Sequence, residues 1–107
     1  MGLGFSGGEL LLLAIGACYT NDIFREATKR GVNVKNVQVD VEGEWGGNPV
    51  RAQNVSFSAR VEADATEAEI LDLIRHTDRV AEIHNSLRLS TPVNLTGTTA
   101  VPTTTRG

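Results

Sequence analysis

Cysteine occurs once in the 107 residues, at Cys18, so no intramolecular disulfide can close, and two histidines without a second thiol offer no zinc-ligand cluster. No metal and no cofactor are expected. Aromatic residues are also few, three Phe, one Tyr and one Trp. Basic charge is in deficit: ten Lys and Arg against thirteen Asp and Glu give a net charge of −3 and a pI near 5.3. Neither a field for phosphates nor platforms for stacked bases are present, so nucleic acid is not an expected partner. The longest apolar run, residues 10–19, falls well short of the roughly 20 residues that span a bilayer. No basic segment precedes it as a signal peptide would require. The expectation is a cytoplasmic protein without membrane contact.

With 40% hydrophobic and 21% charged residues, the composition fits one globular domain over residues 1–107. Ser6 and Glu9, three apart, form a capping-box pattern in which each side chain satisfies a free backbone donor of a helix start. Lys29, Arg30 and Gly31 suit the other end, cations on the negative pole and glycine for a left-handed cap. A helix is therefore predicted over residues 8–30. Its first half, Leu10 to Ala17, is apolar on nearly every side, while Asp22, Arg25, Glu26, Lys29 and Arg30 surround Ile23 and Ala27 in its second. The start should be buried and the end half exposed.

From Val32 the period changes to two. Val37, Val39 and Val41 alternate with polar residues, and so do Val55, Phe57, Ala59 and Val61, with the breaker "GGNP" between the runs. An antiparallel hairpin is predicted, and the glycines of "GEWGGNP" serve its turn: the Lys-Ser/Thr of a phosphate loop is missing. Trp45 at the strand end either packs over the sheet or stands as an exposed anchor. Thr66 and Glu69 repeat the capping pattern, and Ile70, Leu73, Ile74 and Thr77 follow at helical spacing. Leu87, Leu89, Val93 and Leu95 share one parity and suggest a third strand, at an edge or bulge because Pro92 lacks a ladder donor. Residues 98–107 read as a flexible tail.

The order helix, strand, strand, helix, strand defines an α+β fold with helices against an antiparallel sheet. A helix apolar on all sides needs cover on all sides, and a small sheet with one further helix does not supply it. Completion of the core by a second copy of the chain is expected.

Taken together, "GELLLLAIGAC", "VQVDVEGEW" and "TDRVAEIHNSLRLSTPV" resemble the OsmC/Ohr family over residues 7–95. The resemblance implies an intertwined homodimer around central helices and, in many members, thiol-dependent reduction of organic hydroperoxides. Cys18 matches the family's peroxidatic cysteine, and Ala81 stands where its resolving cysteine would lie. Glu9 corresponds loosely to a family glutamate at the helix start. Family peroxidases also have a longer amino-terminal part, with strands and an arginine that helps ionise the thiol, so this chain reads either as a short form or as a fragment. Organic hydroperoxide and an external thiol reductant are the partners implied.

The residues themselves leave alternatives open. Cys18 is either that nucleophile or a small hydrophobe packed in a helix. Asp22, one turn on, opposes a thiolate if it shares the face, and Arg25, two turns on, favours one. Glu9 is explained by the cap alone. His76 and His84 have no adjacent nucleophile and read as surface or cap residues. The rival to a one-cysteine peroxidase is a non-catalytic dimeric module that binds an apolar small ligand or serves a structural role.

Overall fold

The protein was analysed as a computed structural model, which describes residues 6–89 and residue 96. Its elements run α1 (Gly7–Arg30), β1 (Asn33–Gly46), β2 (Arg51–Asp64), α2 (Glu67–Val80) and α3 (Glu82–Arg88). Helix α1 starts at the predicted box: Ser6 Oγ accepts from the Glu9 amide at 3.2 Å, and Glu9 Oε1 accepts from the Ser6 amide at 3.3 Å. It ends at Gly31, whose φ of 68° is the left-handed value glycine adopts without a steric penalty.

Strands β1 and β2 form a two-stranded antiparallel sheet in which Val37 faces Val61, Val39 faces Ala59 and Val41 faces Phe57. The valines change parity between Val34 and Val37, and the register irregularity between Val34 and Asn36 absorbs the change. Val32, Val34, Val37 and Val39 therefore all pack against one core. A second irregularity lies between Glu42 and Glu44, where a Cβ on Gly43 would stand 3.3 Å from a Leu12 methyl of α1. Trp45 lies across the helix start, so close that a Cβ on Gly8 would fall 2.5 Å from its ring. The outer part of its indole stays in solvent, at 51% exposure.

The core is formed by Tyr19, Ile23 and Ala27 of α1, Val61 of β2, Leu73 of α2 and Ala81, with Phe57, Ala59, Ile70 and Ile74 packed around it. The Tyr19 hydroxyl donates to the Ile74 carbonyl at 2.7 Å. Burial, reinforced by Asp78, raises its pKa, so it remains a neutral donor.

Two sequence expectations are corrected. The burial of α1 runs the other way: its buried residues are Ile15, Tyr19, Asp22, Ile23, Glu26 and Ala27, whereas Leu10 and Leu13 are 49% and 52% exposed. The sheet covers one face of the helix, and α2 and α3 pack beside it. Leu87, read as the start of a third strand, belongs to helix α3, and Leu89 is its cap. Shared parity in two leucines does not separate a strand from a short helix. Val93 and Leu95 lie outside the described residues, as does the expected tail over 98–107. Among the described residues, no helix is long and apolar enough to cross a membrane.

Candidate active site

Helical spacing from Cys18 places Asp22 one turn and Arg25 two turns further along α1. Cys18 is half-buried, and its Sγ–H donates to Asp22 Oδ2 at 3.5 Å. Asp22 is buried, and its second oxygen meets Arg25 Nη1 at 3.0 Å. The same guanidinium donates through Nε to Glu26 Oε2 at 3.0 Å and lies 3.6 Å from Glu82 Oε1 at the start of α3. A continuous line of polar contacts thus runs from the thiol to α3.

Glu26 is the hub. Buried to the same degree as Asp22, it takes Lys29 Nζ at 3.2 Å on Oε2 and His76 Nε2 of α2 at 2.8 Å on Oε1. The Arg25 hydrogen bond, followed by the one from His76, lowers its pKa to about 2 and outweighs the opposing effect of burial. Glu26 is therefore ionised and can only accept, so the proton in the His76 contact sits on Nε2. This buried carboxylate ties α2 to α1 beside the thiol.

The remaining candidates fall elsewhere. Glu9 is exposed and engaged in the cap, nine residues before Cys18, or about 13.5 Å along the helix axis. Ala81, which the sequence resemblance set opposite a resolving cysteine, is fully buried between α2 and α3. Its ψ of 116° interrupts the helix, and the residue after it is Glu82, the partner of Arg25. That segment and the Cys18 network are therefore neighbours. His76 is not a cap but the α2 anchor of Glu26. His84, expected at the surface, is buried, with ring centroids 4.6 Å from Phe57 and 5.6 Å from Tyr19. The burial of Asp22 and Glu26 had a signal in the sequence, because both fall on the helical stripe of Tyr19, Ile23 and Ala27. The His76 contact is fifty residues distant and had none.

A long helix laid on an antiparallel hairpin, with its thiol on the helix and a charge network behind it, defines a class of α+β protein. The sequence model described as OsmC-like protein matches residues 1–96, and the chain belongs to that family. Solved structures agree in fold. An OsmC-like protein from Mycoplasma pneumoniae superposes with a TM-score of 0.73 at 20% identity, over 81% of this chain and 64% of that one. An OsmC-like protein from Vibrio cholerae gives 0.65 at 17% identity, over 75% of this chain and 56% of its own. A Legionella pneumophila protein described as an organic hydroperoxide resistance protein, OsmC, gives 0.60 at 17% identity, over 81% and 64%. The chain therefore spans less than two thirds of the length of these relatives. No curated protein sequence matches it significantly.

Proposed function

We propose that this OsmC-like chain reduces organic hydroperoxides through Cys18 alone, as one half of a homodimer. The observation that carries the reading is the hydrogen bond from the Cys18 thiol to the buried Asp22 carboxylate, in a member of this family. That bond provides a proton acceptor for the attacking sulfur. The similarity to a Legionella pneumophila protein described as an organic hydroperoxide resistance protein supports the substrate class.

In the proposed cycle the Cys18 proton passes to Asp22 as the sulfur attacks the distal peroxide oxygen. The O–O bond breaks, and the leaving alkoxide takes the proton to become the alcohol. Cys18 is then a sulfenic acid. With Ala81 at the resolving position, an external thiol condenses with the sulfenic acid, releasing water and leaving a mixed disulfide. A second external thiol displaces Cys18 and restores its S–H. One hydroperoxide and two thiols thus give one alcohol, one disulfide and one water.

The half-exposed Leu10, Leu13 and Phe24 of α1 support the dimer. Leu13 also lines a cavity of about 540 Å³ between α1 and β1, together with Leu12, Gly16, Ala17, Val39 and Val41. Small residues there admit a second helix closely. The non-catalytic reading draws on a different observation: Ala81 is fully buried, and Arg25 is already engaged by three carboxylates. Turnover of an organic hydroperoxide with a dithiol separates the two. The peroxidase reading expects activity that Cys18→Ser abolishes, and equal rates in the two proteins would overturn it.

A further inference from the structure

Beside the Cys18 network, and without Cys18 in its wall, lies a second cavity of about 340 Å³. Leu11 and Ile15 of α1, Phe57 of β2 and Leu87 of α3 supply much of its apolar wall, and Gln53, Asn54, His84 and Arg88 add polar groups. His84 is 5% exposed, yet neither Nδ1 nor Nε2 has a hydrogen-bond partner among the described residues. Its ring is held edge-on to Phe57, at an interplanar angle of 86°.

Burial first, then Arg88, lowers the His84 pKa, against the opposing charges of Asp78 and Asp22, so the imidazole is neutral and offers one N–H and one lone pair. Both are unanswered. Buried polar groups are nearly always paired, and an apolar cavity with a few convergent polar groups is the ordinary form of a small-molecule site. The charges around it decide the class of occupant. Arg88 is committed to Asp78, through the carboxylate at 2.8 Å and the backbone carbonyl at 3.2 Å, so among the described residues that line the cavity the cation is already paired. Asp22 and Asp78 also act on the ring and disfavour one. A cavity of 340 Å³ holds about eleven water-sized volumes, enough for a chain of roughly eight to ten heavy atoms.

We propose that this cavity binds a neutral amphipathic molecule with the size and chemistry of a medium-chain alcohol, its apolar chain between α1 and β2 and its hydroxyl on the His84 imidazole. The hydroxyl both donates and accepts, and so answers a neutral imidazole in either tautomer. The site is independent of Cys18 and of the peroxide reading.

The test is NMR titration of the isotopically labelled full chain with 1-octanol, 1-fluorooctane and octanoate, following the two imidazoles. Octanol should shift the His84 ring saturably while leaving His76 in place, and should bind at least tenfold more tightly than either of the others. His84→Phe should erase the preference of octanol over fluorooctane, and Leu11→Trp, which fills the cavity from α1, should abolish binding of both. Equal affinity for octanol and fluorooctane in the unmodified protein, tighter binding of octanoate, or octanol shifts that never saturate would each overturn the proposal, whether or not the variants fold.

Discussion

Asp22 is the hydrogen-bond partner of the Cys18 thiol. The sequence placed a carboxylate one turn from the thiol and an arginine two turns from it, two neighbours of opposite effect, and the structure shows one assembly: the carboxylate accepts from the sulfur and the arginine neutralises the carboxylate. In the proposed cycle Asp22→Asn removes the proton acceptor while keeping the shape. Its kcat/KM for an organic hydroperoxide should fall by about 10²-fold or more, the usual size of a lost general base. An unchanged kcat/KM would remove Asp22 from the mechanism. Tyr19 and Leu73 carry structure rather than chemistry. Leu73 is fully buried, and Leu73→Ala should lower unfolding stability by about 2–5 kcal/mol in urea titration. Tyr19→Phe, which loses only the bond to Ile74, should cost about 1 kcal/mol. Ser6 and Glu9 were legible from sequence because a capping box is local. His84 was not, because its burial depends on where α3 lands against Phe57 and Tyr19.

Between elements, the joint of α1 and α2 is ionic as well as apolar. The Glu26 carboxyl titrates near 4.5 when unperturbed and at about 2 in the fold. A depressed folded pKa means that this stabilisation is fully present above about pH 4.5 and is lost as the pH falls toward 2. Urea midpoints measured from pH 6 downward should decline across that window, and Glu26→Gln should flatten the decline while lowering the midpoint at pH 6. A variant with the same acid limb as the unmodified protein would contradict the assignment. Both strands were readable from their alternation, since one face of the hairpin is buried and the other is solvated. The start of β1 was legible too, since the change of period was read from Val32, one residue before Asn33, and the irregularity after Val34 accounts for the shift of parity before Val37. Helix α3 was missed because it is one of the shortest patterns a sequence offers: seven residues, with Leu87 and Leu89 at strand parity.

Over the whole molecule, the apolar start of α1 is the unresolved force. Leucines that sequence reasoning placed in a core stand half in solvent, because a two-stranded sheet covers one side of a helix that is apolar on several. Sedimentation equilibrium should therefore find a dimer, and Leu13→Glu, which puts a charge into the exposed stripe, should shift it toward monomer without changing the helical signal. A monomer at all concentrations would contradict the proposed assembly. The family and the order of the first four elements were legible from residue pattern, whereas the proposed function rests on one thiol whose surroundings only the fold assembles. Mass spectrometry of the protein treated with one equivalent of an organic hydroperoxide in the presence of dimedone tests that thiol most directly. The account predicts the dimedone adduct of a sulfenic acid on Cys18, and Cys18 recovered unmodified while peroxide persists would contradict it.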